Sequence, residues 1–254
     1  MANLDQMFNY SKDAERRWGD AEEYTGGRLS WIGRFNYTFD QKYIAEFSFR
    51  YDGNTLFPDG HRWGFFPSVS AAWRLSEESF MENTTDWLSN LKLRASYGTT
   101  GNDLDLSKDP IDKITAFSYL QKYNTGGTYV FGSNLANTIV AGDTPNPTLT
   151  WATSTTYNGG LDFGFFNNRL SGTLDVFYRK EVDILGPRTV TLPSTYGQAL
   201  APENYAERSW RGGELALTWM DKAANGAIDY SAYVNLGFAR DRWDVLDVSA
   251  TYQE

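Results

Sequence analysis

Leu29-Ser30-Trp31-Ile32-Gly33-Arg34-Phe35-Asn36-Tyr37-Thr38-Phe39 is followed, after Asp40-Gln41-Lys42, by Tyr43-Ile44-Ala45-Glu46-Phe47-Ser48-Phe49-Arg50-Tyr51-Asp52. Both runs have a period of two. Odd positions are almost all aromatic or apolar, and even positions carry Ser30, Arg34, Asn36, Glu46, Arg50 and Asp52. In an extended chain successive side chains point to opposite faces, so this pattern builds one apolar and one polar face. The two residues between the runs suit a hairpin turn.

Working outward, six further segments alternate in the same way: 65–75, 91–97, 157–165, 170–178, 214–219 and 228–238. The best helical candidates, 14–17 and 77–83, are too short to cover a sheet. The connections fall into two classes. Those after odd-numbered segments (Asp40-Gln41, 76–90, Asn167-Asn168 and 221–227) are mostly short. Those after even-numbered segments (53–64, 98–151 and 181–211) are long. Short turns at one end and long loops at the other are the layout of an up-and-down transmembrane β-barrel in a bacterial outer membrane. Aromatic residues near the segment ends (Trp31, Phe39, Tyr43, Tyr51, Trp73, Tyr97, Phe165, Tyr178, Trp219, Tyr230 and Phe238) match the girdles such a barrel places at the lipid headgroups.

Composition narrows the functional classes. With Lys+Arg 23 against Asp+Glu 32, the net charge of -9 argues against nucleic-acid binding. The absence of cysteine excludes disulfides, thiol catalysis and Cys-ligated zinc. No apolar run reaches the ~18 residues of a transmembrane helix. Mean hydropathy is negative, which alternating strands allow even in a membrane. The single histidine, His61, sits in a polar loop and supports no catalytic triad. Asp103, Asp105, Asp109 and Asp112 share a loop but lack a calcium-loop pattern. The expectation is therefore no enzyme, no metal and no cofactor.

Parity makes Arg34, Asn36, Glu46, Arg50, Lys92, Arg94 and Asp175 candidate lumen-facing ligand contacts. In the long loops Tyr119, Tyr123, Tyr129, Phe131, Tyr196 and Tyr205, among many Asn, Thr and Ser residues, could stack on sugar rings or peptides. They could equally pack the loops together.

Five stretches in order resemble the SusC/RagA family of TonB-linked outer-membrane proteins. They are Gly33-Arg34-Phe35-Asn36-Tyr37 with Lys42-Tyr43; Phe49-Arg50-Tyr51-Asp52-Gly53-Asn54; Arg62-Trp63-Gly64-Phe65-Phe66-Pro67-Ser68-Val69-Ser70; Leu91-Lys92-Leu93-Arg94-Ala95-Ser96-Tyr97-Gly98; and Asn146-Pro147 through Leu161-Asp162-Phe163-Gly164 to Asn167-Asn168-Arg169-Leu170. Gly213 departs from the resemblance, standing where an aromatic is usual.

The resemblance implies a plugged barrel of roughly 22 strands that imports oligosaccharides or peptides. It also implies a SusD-like surface lipoprotein, the TonB complex and outer-membrane lipid as partners. Residues 1–27 are expected to form an external loop or linker, and 28–254 part of the barrel, without signal peptide or plug. The chain thus reads as an internal fragment of about eight or more strands. Two other readings remain open here: a small self-contained eight-stranded barrel, and a soluble β-sandwich carbohydrate-binding module.

Overall fold

The computed structural model describes residues 27–105, 112–114, 117–188, 193–223 and 227–247. The candidate helix at 14–17 lies outside them. Eight long strands form one antiparallel meander: β1 (Arg28–Phe39), β2 (Tyr43–Asn54), β3 (Trp63–Arg74), β4 (Leu88–Asn102), then β9 (Ala152–Phe165), β10 (Leu170–Gly186), β11 (Glu203–Ala223) and β12 (Ile228–Val245). Between β4 and β9 lie the short β5 (Leu104–Asp105) and β6 (Asp112–Lys113), and a separate hairpin of β7 (Tyr123–Phe131) and β8 (Asn134–Ala141). β1 and β12 lie at opposite edges of an open sheet, so the described strands do not close a small barrel.

The register follows from the alternation. Trp31 opposes Tyr51, Phe35 opposes Phe47 and Phe39 opposes Tyr43, which places like with like on each face. A slip of one residue would exchange the two faces entirely. The short turns supply the geometry. Asp40 and Gln41 both take left-handed conformations (φ 49° and 54°), and the Lys42 N–H closes on the Phe39 carbonyl at 3.0 Å. The Asn167-Asn168 turn is wider than expected, because Phe166 is left-handed as well. That strained residue is tied down by its own N–H donating to the Trp87 carbonyl at 2.8 Å, while the Asn168 N–H donates to Ser89 Oγ at 3.2 Å.

The apolar face has no second layer over it among the described residues. Phe35, Val176 and Leu236 are 65%, 56% and 59% exposed. A soluble sandwich would bury such residues between two sheets, so that reading does not hold. Rings on this face form cross-strand ladders: Phe39, Tyr43 and Trp73 at the short-turn end (6.4 and 6.3 Å between neighbours), and Tyr51 stacked on Trp63 (4.8 Å) at the other. Tyr43 and Tyr51 are eight residues apart, about 27 Å along a strand. At a tilt of ~40° that is roughly 21 Å, close to the ~25 Å apolar band of outer-membrane barrels.

The buried core lies elsewhere, in the long-loop layer. Phe57 and Leu149 are 0% and 1% exposed and pack with Ile114 and Leu185, with Tyr119 and Trp151 against them. The Trp151 indole donates to the Arg62 carbonyl at 3.3 Å. The candidate helix at 77–83 is instead a pair of 3₁₀ turns, Leu75–Glu77 and Ser79–Thr84.

Glu78 clasps the short-turn end. Its carboxylate accepts from Tyr43 Oη at 2.7 Å and Trp73 Nε1 at 3.0 Å, and lies 3.6 Å from Lys42 Nζ. These hydrogen bonds, Tyr43 first, hold its pKa below the usual glutamate range. The clasp is therefore fully formed above the ordinary glutamate pKa and is lost only as pH falls through the lower folded value. Titration of Glu78 by side-chain NMR should show this lowered midpoint, and Tyr43→Phe should return it towards the ordinary value.

Leu149→Ala should cost ~2–5 kcal/mol within the loop layer by leaving a cavity. Hydrogen exchange is expected to rise in residues 55–62 and 142–151 while strand amides stay protected.

Candidate functional site

The polar face carries the chemistry, and strand register decides which charges meet. On β1 and β2 the Arg34 guanidinium donates to Glu46 at 2.7 Å, and Arg50 donates to Asp52 at 3.1 and 3.2 Å. Asn36 stands opposite Glu46 in the register and is exposed. These pairs lie in solvent and contribute little to stability.

The centre of the face, on β4, β9 and β10, is more tightly built. Lys92 Nζ lies 2.6 Å from Asp162, Arg94 Nε donates to Asp162 at 2.8 Å, and Arg94 Nη2 donates to Asp175 at 2.9 Å. Arg94, Gly160 and Asp175 occupy one cross-strand row. A side chain on Gly160 would begin 2.7 Å from both the Arg94 guanidinium carbon and an Asp175 oxygen. Glycine at this position lets Arg94 reach across β9 to β10. Two cations and two carboxylates thereby neutralise one another while staying accessible to water. Asp162, which joins them, was not among the expected contacts. The signal was present in its even, polar parity opposite Lys92.

A second cluster lies towards the long-loop end of the same face. The Arg208 guanidinium sits 4.9 Å from the ring centres of both Trp210 and Trp243, and it pairs with Asp241, with Nε donating at 3.0 Å. Arg179 lies 6.0 Å from the Trp210 ring. Two indoles holding an arginine form a stacking surface for a planar or ring-shaped ligand. Sequence analysis treated residues 181–211 as a loop and missed this cluster. Trp210 belongs to a β11 that extends into the long-loop layer as far as Glu203.

The loop aromatics do not form one site. Tyr119 packs against the Phe57–Leu149 core. Tyr123 and Tyr129 are exposed on the β7–β8 hairpin, with Tyr129 6.3 Å from Phe131. Tyr196 is half exposed in a 3₁₀ turn. Tyr205 is structural: it lies under Arg188 at 3.9 Å and its hydroxyl donates to the Pro187 carbonyl. Asp103 is likewise committed, accepting from Asn54 Nδ2 at 3.0 Å and from Arg28. Asp109 and the side chains of Asp105 and Asp112 lie outside the described residues. His61 is exposed, and its backbone N–H donates to the Pro58 carbonyl. Among the described residues no group of three or more His, Asp or Glu side chains is placed to hold a metal ion.

Comparison with known proteins agrees with this architecture. The chain is 33% identical over 201 residues to the TonB-dependent receptor SusC of Bacteroides thetaiotaomicron, covering 76% of this chain and 19% of that protein. It is 34% identical over 201 residues to the TonB-dependent receptor P26 of Formosa agariphila, covering 77% and 18%. Its strands superpose on the RagAB peptide importer in the open-open state with a TM-score of 0.73 and 28% identity, covering 87% of this chain and 22% of that one. The chain thus spans about a fifth of the length of these relatives. The family model described as "TonB dependent receptor-like, beta-barrel" matches residues 5–253. The chain belongs to the TonB-dependent receptor β-barrel family and forms part of the wall of such a barrel.

Proposed function

We propose that this chain is part of a TonB-dependent importer that carries oligosaccharides or peptides across the bacterial outer membrane. In this reading residues 28–254 belong to the barrel wall, and a SusD-like surface lipoprotein and the TonB complex act on the whole receptor. The apolar face meets lipid, the short turns face the periplasm and the long loops face the exterior. The observation that carries the reading is the combination, on one antiparallel sheet of eight long strands, of a bare apolar face with a hydrated face of balanced charges.

The polar face suits passage rather than chemistry. Its charges cancel in pairs, so it offers hydrogen bonds without a strong field of one sign. The Arg208, Trp210 and Trp243 cluster lies at the outer end of this lumen face, where an arriving sugar ring or peptide side chain could stack. Arg34, Asn36, Glu46, Arg50, Lys92, Arg94 and Asp175 are the wall positions proposed to face the ligand. Tyr123, Tyr129 and Tyr196 are proposed to meet it outside, since they are the candidate loop tyrosines left exposed. The peptide cargo of the RagAB importer supports peptides, while the ring-stacking cluster suits glycans equally well.

Disruption of the gene in its host, followed by growth on panels of oligosaccharides and peptides, tests the reading. Growth on one class should be lost, and loss of TonB should give the same defect. Unaltered growth on every substrate of both classes would contradict it. In the purified receptor, Asp162→Asn should lower barrel stability by ~1–3 kcal/mol, because Lys92 and Arg94 lose their shared carboxylate charge. An earlier urea midpoint would report the loss.

A further inference from the structure

The apolar face ends differently on its two sides. On β1 to β3 its long-loop end finishes in Leu29, Gly53 and Trp63. On β10 to β12 it finishes in cations. Beyond Tyr178 the next residue on this face is Lys180, beyond Gly213 it is Arg211, and beyond Phe238 come Arg240 and Arg242.

Register joins these residues to the aromatic girdle. One cross-strand row runs Tyr97, Tyr157, Tyr178, Arg211, Arg240, and the next places Ser209 opposite Arg242. Arg211 and Arg240 are therefore direct cross-strand neighbours, with β-carbons ~5 Å apart, and Arg242 is ~7 Å further along the same face. Like charges directly opposed destabilise a sheet unless something lies between them.

Among the described residues, the nearby carboxylates do not fill that role. Glu207 is held by Lys180 at 2.7 Å, Asp241 is held by Arg208 on the opposite face, and Asp244 reaches Arg242 only at 3.8 Å. Among the described residues, Arg211 and Arg240 have no carboxylate within 4.0 Å. Tyr178, Ser209 and the three arginines, with Asp241 and Asp244, line a concavity of about 230 Å³. The Arg240 guanidinium lies 5.7 Å from the Phe238 ring, at the boundary where the apolar stripe stops. In a chain of net charge -9, this concentration of cations is a local feature rather than a reflection of composition.

We propose that Arg211, Arg240 and Arg242 bind the phosphate of a phosphorylated glycolipid in the outer leaflet. The fork of a guanidinium matches two phosphate oxygens, and several arginines can share one phosphate. The position selects a lipid over a soluble partner. The patch faces outward from the barrel, adjoins the tyrosine girdle and sits where headgroups lie. Ser209 adds a hydroxyl donor, and Tyr178 and Phe238 flank the lipid's sugar and upper acyl region. This inference rests on the barrel orientation proposed above.

The test uses the whole receptor carrying this chain, reconstituted in phosphatidylcholine nanodiscs containing bis-phosphorylated lipid A or its dephosphorylated form. Lipid retention is read by native mass spectrometry, and heat-modifiable migration shows whether the barrel has inserted. Wild type should retain phosphorylated lipid A preferentially. Arg211→Gln/Arg240→Gln/Arg242→Gln should bind it on the order of 100-fold more weakly while migrating normally. Equal retention of both lipids, equal retention by the triple variant, or displacement by millimolar inorganic phosphate would overturn the proposal. Failure of wild type to insert in phosphatidylcholine alone would instead refute the membrane-barrel reading beneath it.

Discussion

Every peptide N–H and C=O in a membrane-spanning strand must find its partner on a neighbouring strand, because lipid offers none. An antiparallel meander meets that constraint strand by strand, and the rest of the structure depends on it. Pairing fixes register, and register fixes which side chains share a face. The Phe39–Tyr43–Trp73 ladder and the Lys92–Asp162–Arg94–Asp175 network are two faces of the same hydrogen-bonded frame. A slip of one residue would turn the charges to lipid and the rings to water.

The same constraint inverts the usual arrangement of a core. Large apolar residues along the strands are exposed, because their solvent is lipid, and the fully buried cluster of Phe57, Leu149, Ile114 and Leu185 lies in the long-loop layer. Those loops emerge into water and must pack as a soluble protein does. The Glu78 clasp secures the opposite end, where the turns are short and only a few side chains are available to hold them. The wall is thus a uniform sheet bounded by two different kinds of local structure.

Alternation made the membrane part of the fold legible. Between the girdles one face meets lipid and the other water, so polarity switches at every residue. Beyond the outer girdle both faces meet water and the signal fades. For that reason β4, β10, β11 and β12 extend past the segments that alternation marked out, and the exposed β7–β8 hairpin gave no periodic cue. The Arg208, Trp210 and Trp243 cluster and the Arg211, Arg240 and Arg242 patch both lie in or at the border of that region. Within the girdles, parity assigned Lys92, Arg94 and Asp175 to one face. It could not show that Gly160 leaves room for Arg94 to cross a strand, which requires knowing that β9 stands between β4 and β10.

The central claim is that a single alternation separates lipid from water across this wall, and labels placed along one strand measure it residue by residue. Single cysteines placed one at a time at positions 45 to 50 in the membrane-embedded receptor would be spin-labelled and exposed in turn to a lipid-soluble and an aqueous relaxation agent. The account predicts lipid access at 45, 47 and 49 and aqueous access at 46, 48 and 50. Uniform access along the strand, or aqueous access at 47, would contradict it.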